Sequence, residues 1–268
     1  MRNQVHLANL SGQRIRTLQS EEVKLMNISI DKLIESSKRK WSFYYVRKNQ
    51  EILIEQTDNA LSELAKKHPN SWKDLEEVSI LMNFYFLNFL ASINTFLDQN
   101  CKFLSKRFGK DCEEKVRFEK LTSKLFDEHF EYRLLYKLRN YTVHAGFSIC
   151  GISSEEKIID ANTKSVIYSP CLLKGELLKN KSYLGSVKKD IEDANDKILI
   201  YDLIHKSMTH YKSLETLANE MVEKSNSQHK IEIINILNIS ENELGKFQLI
   251  IEDANQVKVA QIPYHYLK

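Results

Sequence analysis

The run Leu138-Arg139-Asn140-Tyr141-Thr142-Val143-His144 gathers three chemically different polar groups within a few residues. An imidazole takes or gives a proton near neutral pH. A guanidinium grips a phosphate through paired N–H donors and stabilises negative charge that builds up in a transition state. A carboxamide such as Asn140 can orient the phosphate or the ring. Together they suit transesterification of RNA, in which a 2′-OH attacks the neighbouring phosphate and no metal-bound water is needed. Arg139, Asn140 and His144 are therefore the catalytic candidates, with no metal ligands and no cofactor expected. On a helix, positions five apart lie about 140° apart and about 7.5 Å along the axis. Arg139 and His144 thus miss a common stripe, whereas Asn140 and His144, four apart, share one. The cluster closes only if something covers the groove, such as a second copy of the same helix. A helix stop at Gly146 would place His144 at the negative end of the helix dipole, which favours the imidazolium and suits a general acid.

The segment Arg139 to His144 resembles the R-x4–6-H motif of the HEPN superfamily, including the Asn that often follows the Arg. The resemblance implies a helical bundle, covering about residues 72–224. It also implies a homodimer in which two copies of the motif meet, and metal-independent cleavage of RNA to 2′,3′-cyclic phosphate ends. The setting it suggests is a toxin–antitoxin or antiphage system, with an antitoxin or defence-system partner. Members paired with nucleotidyltransferase antitoxins often carry Tyr two residues after the His, where this chain has Gly146. Two other readings stay open. One is a catalytically silent module that binds RNA, nucleotide or protein. The other is a structural helical scaffold, with Arg139 paired to Glu131 or Asp127.

A second segment, Lys38 to Lys48, carries five cations and no anion, with aromatics interleaved. Aromatic faces stack bases and cations hold phosphates. Lys38, Arg39, Lys40, Trp41, Tyr44 and Arg47 are the candidate RNA contacts; a basic loop whose aromatics dock on the core is the plainer alternative. Lys102, Lys106, Arg107 and Lys110 read as a helix C-terminus complementing its dipole. Asp202, His205 and His210 lack metal-ligand spacing, because the histidines are five apart rather than four. His129, beside Glu128 and Glu131, reads as a surface residue. Asn83, Asn88 and Asn94 need partners if buried. Those partners are each other across a dimer seam, the Arg–His groove, or ordinary intrahelical groups.

These side chains need elements to hold them. The 268 residues include only three prolines and seven glycines, with 42% apolar residues. Long segments without breakers favour helices over a turn-rich β-fold. Helical spacing runs over 20–40 and 50–67. His68-Pro69-Asn70-Ser71 is a break, with Ser71 and Asp74 as a candidate cap. Further helices are expected over 72–108, 112–126, 128–146 and 187–224. A hairpin is expected at 157–168 around Asp160-Ala161-Asn162-Thr163, and a second from 246–252 and 256–262 around Asp253-Ala254-Asn255. Ser225-Asn226-Ser227-Gln228 reads as a linker, and residues 1–20 as loosely ordered. The expected fold is mainly α, a HEPN-type bundle with a small hairpin insertion and a C-terminal β-hairpin. Its divisions are a 1–70 helical extension, a 71–225 bundle with an insertion at 148–185, and a 226–268 appendage.

The net charge of +3 is too small to identify a nucleic-acid binder, so any basic footprint must be local. Val78 to Leu97 is free of charge and long enough to span a bilayer. Ser79, Asn83, Asn88, Ser92, Asn94 and Thr95 interrupt it, which favours a core helix over a membrane span. Four scattered cysteines without a CxxC pair, and no apolar leader, point to reduced thiols, a cytoplasmic location and no membrane.

Overall fold

The computed structural model describes residues 4–67, 72–145, 150–158, 164–252 and 256–267. The expected break at His68–Ser71, the stop at Gly146 and the turns at Asp160–Thr163 and Asp253–Asn255 lie outside the described residues. The chain is mainly helical with two small antiparallel sheets. In order, its elements are β1 (Gln4–Asn9), β2 (Arg14–Leu18), α1 (Ser20–Lys67), α2 (Trp72–Phe108), α3 (Glu113–Glu128) and α4 (Phe130–Ala145). Then follow β3 (Cys150–Ile158), β4 (Lys164–Leu173), α5 (Lys174–Lys179), α6 (Lys188–Asp193), β5 (Lys197–Leu199), α7 (Ile200–Leu237), β6 (Phe247–Glu252) and β7 (Val257–Gln261).

The chain divides into two units, residues 1–40 with 219–268 and residues 41–218, rather than at the boundaries 70 and 225. The physical reason is strand pairing between distant segments. In the first unit, residues 4–18 are a hairpin, not a loose leader. β1 pairs with β2 on one side and with β6 on the other, giving the order β2-β1-β6-β7. Gly12, at φ +89, makes the turn with its N–H on the Asn9 carbonyl. The sheet lays Val5, Leu7, Leu18 and Leu249 against Met26 and Leu33 of α1 and Ile233 and Leu237 of α7. The C-terminal hairpin is therefore half of a sheet rather than an appendage.

In the second unit, α2 buries Met82, Phe86, Phe89, Leu90, Ile93 and Phe96. It packs against α3 and α4. Its end is set by Gly109 at φ +113, whose N–H bonds the Ser105 carbonyl at 3.0 Å. α2 is long and apolar enough to cross a membrane by length and composition, but half of its most apolar stretch is buried within the protein. Its amides find ordinary partners. Asn83 donates to the Ser79 carbonyl at 2.8 Å and accepts from the Cys150 N–H at 3.1 Å, and Asn94 donates to the Leu90 carbonyl at 3.1 Å. The insertion is larger than a hairpin: β3 and β4 pair from Cys150↔Leu172 to Ile158↔Lys164, and β5 adds a third strand.

Two expected interruptions are continuous helix. α1 runs unbroken through Lys38–Lys48. α7 begins at Ile200 rather than 187 and passes through Ser225–Gln228 without a linker. There Asn226 is buried and accepts from the Ser36 hydroxyl at 2.9 Å. Ser227 turns its hydroxyl back onto the Glu223 carbonyl at 3.0 Å. Tertiary partners override a polar run that propensity alone reads as a connector.

Candidate functional site

The face of α4 follows from its sequence. Leu134, Leu135, Leu138, Tyr141 and Thr142 recur with helical spacing and are buried. Tyr141 also ties the helix to α5, its hydroxyl donating to the Glu176 carbonyl at 3.1 Å. Arg133, half-buried at the start, holds Asp190 of α6 at 2.9 Å. With that stripe fixed inward, Arg139, Asn140 and His144 are turned outward, and all three are exposed. Arg139 donates from Nη1 to Asn140 Oδ1 at 3.0 Å. That bond, rather than an ion pair to Glu131 or Asp127, is its described contact.

Sequence reasoning missed two neighbours. Tyr183, in the 3-10 turn Lys181–Tyr183 that packs on α4, lies nearly parallel to the His144 ring, with centroids 5.9 Å apart and planes 13° apart. Lys137 lies one stripe over from Asn140 and seven residues before His144, so it adds a cation to the row. Its ammonium sits 5.5 Å from the Phe126 ring centroid. It also lies beside Gly185, where a Cβ would come 3.6 Å from Nζ. Gly185 takes φ +57, and it is this left-handed turn that brings the 3-10 segment against the helix. Tyr183 and Gly185 are about forty residues from the motif in sequence, so no local pattern points to them.

The arrangement is an open face and not a cleft. A cavity of about 520 Å³ in this unit is lined by Glu131, Ser153, Asp193, Lys197, Asp202 and their neighbours. Another of about 470 Å³ is lined by Asn94, Cys101, Phe126, Tyr132 and Tyr136 among others. Neither contains Arg139, Asn140 or His144. What the face offers is an exposed guanidinium, amide and imidazole with a half-buried ammonium beside them, chemistry suited to a phosphodiester.

The candidate RNA contacts divide by helix phase. Arg39 is 4% exposed, and its guanidinium donates to Asn219. It is a buried structural group and not an RNA contact. It shares the inward face of α1 with Ser36, Phe43 and Val46, at helical spacing. Lys38 and Lys40 are exposed in the first unit. In the second unit, Trp41, Tyr44 and Tyr45 stand outward at 53, 59 and 52% exposure, beside exposed Arg47 and Lys48. Positions 41, 44, 45 and 48 fall on one stripe. Tyr44 and Tyr45 meet edge to face, 6.0 Å between centroids. Arg47 and Lys48 both reach Glu51, at 3.8 and 3.2 Å. Phe43 docks on the core, its ring 5.5 Å from that of Phe96, whereas Trp41, Tyr44 and Tyr45 form an outward band on a continuous helix rather than a loop.

No protein family, curated protein or solved structure matches this chain.

Proposed function

We propose that the protein is a metal-independent endoribonuclease of HEPN type. The observation that carries this reading is the exposure of Arg139, Asn140 and His144 together on the face of α4 opposite its buried stripe. Polar groups of these types, left outward by a helix whose other side is fully committed, are disposed for a ligand. In the proposed reaction the 2′-OH loses its proton to a base and attacks the adjacent phosphorus. The bond to the 5′-oxygen breaks, and that oxygen is protonated as it leaves. His144 performs one of the two proton transfers, Arg139 holds the non-bridging oxygens, and Asn140 orients Arg139 through their bond. Two copies of α4 in a homodimer close the site. The band of Trp41, Tyr44 and Tyr45 with Arg47 and Lys48 would carry single-stranded RNA by stacking and charge. The setting we infer is cytoplasmic, in a toxin–antitoxin or antiphage system with a partner that restrains the enzyme.

That same aromatic band favours a second reading, an RNA-binding protein whose motif is silent. Incubation of the protein with end-labelled RNA in EDTA separates them. The nuclease reading expects fragments with 2′,3′-cyclic phosphate ends and a loss of about 10²-fold or more in rate for His144→Ala and for Arg139→Ala. Tyr44→Ala with Tyr45→Ala should leave folding intact and weaken RNA binding by about thirtyfold or more, since each of the two lost stacks contributes about 1–3 kcal/mol. Binding without cleavage supports the silent module. Equal cleavage by wild type and His144→Ala sinks the nuclease assignment.

A further inference from the structure

At the other end of α4, about 12 Å along the axis from Arg139, three metal-ligating side chains converge from three elements. His129 is the single extended residue, φ −121 and ψ 115, that closes α3 before α4 begins. Glu131 stands in the first turn of α4, and His210 on α7. One ligand atom from each lies within 4.8 Å of the other two. His210 Nε2 is already 2.9 Å from Glu131 Oε1, and all three side chains are half-buried. We propose that His129, Glu131 and His210 bind one divalent transition-metal ion, zinc by their chemistry, with a remaining coordination position left to water.

The donor set argues for zinc. Two imidazoles and one carboxylate suit a borderline ion, whereas magnesium and calcium take oxygen ligands. Three protein ligands plus water is the pattern of an open zinc site. With both imidazoles neutral, the set carries one negative charge toward a dication. The ring of Tyr132, itself buried, stands edge-on to His210, 83° between planes, and limits how that imidazole can turn. Glu131 also borders the 520 Å³ cavity, which gives solvent a route to the site.

One adjustment is required. The His129 and His210 rings stack at 4.0 Å with 28° between their planes, so their lone pairs run side by side instead of meeting. Donors around a tetrahedral zinc, at about 2.0–2.2 Å from it, are about 3.3 Å apart. Coordination by both rings therefore requires the half-buried His129 ring to turn out of the stack, so binding breaks the stack.

The test uses untagged full-length protein, stripped with chelator and dialysed, titrated with zinc by calorimetry and with cobalt by visible absorption. The expected result is one equivalent bound with a dissociation constant on the order of 1 μM or tighter. Affinity should drop at least about tenfold in His129→Ala, in His210→Ala and in Glu131→Gln. It should be unchanged in His205→Ala, which alters an exposed histidine on the same helix. Imidazole NMR signals of His129 and His210 in the wild type should shift on adding zinc, while that of His205 stays. This reading needs no variant to fold. Absence of saturable binding, affinity unaltered in folded His129→Ala, or zinc shifts confined to other histidines would each overturn the site. RNA cleavage in EDTA does not bear on it.

Discussion

Arg39 sits on the inward side of α1, its guanidinium committed to Asn219. Truncating it removes a charged donor from a half-buried amide and opens space in the first unit. Arg39→Ala is expected to lower stability by about 1–3 kcal/mol while leaving the RNA affinity of the folded protein as it was. Urea unfolding and a binding titration read both; unchanged stability would show that the buried bond contributes nothing. The residue was legible in the sequence by phase and not by charge. A run of five cations invites a ligand, but Arg39 shares the helical phase of Ser36, Phe43 and Val46, all of them buried. Arg139, Asn140 and His144 stand out as candidates because their chemistry lies in one short run. His129 and Glu131 were not, because their third partner, His210, comes from a distant helix, and no spacing rule connects them.

The first turn of α1 shows how an element is held at its end. Gln19 accepts the Val23 N–H at 3.0 Å, and its own N–H is taken by Glu22 Oε2 at 2.8 Å, half of a capping box. Arg16 of β2 reaches the same carboxylate at 3.1 Å. The Arg16 bond and then the backbone bond hold the Glu22 carboxyl below its ordinary value of 4.5. A carboxyl whose folded value lies below its unfolded one stabilises the fold above the unfolded value, and that contribution is lost as pH falls through the folded one. Glu22→Gln should therefore lower stability at neutral pH by about 0.5–1 kcal/mol, a cap-sized effect for a half-buried group. The gap should close in acid below about 4.5. Urea midpoints at neutral and acid pH check it, and a gap that persists in acid would assign the effect to packing. Element by element, α2 and the β6–β7 hairpin were readable from their breakers, since Gly109 and the polar turn punctuate them. β1 was not, because a six-residue strand takes its place inside the sheet only from β6, more than two hundred residues away, and β2 pairs with β1 alone. The polar run at 225–228 misled for the converse reason, its amide and hydroxyl being satisfied inside the fold.

For the molecule as a whole, the proposed nuclease reading makes a demand on stoichiometry. Arg139 and His144 lie about 140° apart around one helix, so a single copy presents them to the two flanks of the exposed band and not to one phosphate. In the proposed dimer a two-fold axis through that band would set Arg139 of one copy against His144 of the other, and the isologous contact makes that pairing reciprocal. The protein should then sediment at roughly twice the 31.4 kDa of the chain. The same geometry makes a sharper demand. Arg139→Ala and His144→Ala are each expected to be inactive alone, yet mixing them by unfolding and refolding together should give mixed dimers in which one site keeps both groups. With random pairing half the dimers are mixed and one of their two sites is intact, so activity should return to about a quarter of the wild-type level. A monomer in solution, or a mixture as inactive as its components, would mean that the two groups do not meet across a two-fold. The exposed band of α4 would then be a binding surface and not a divided catalytic site.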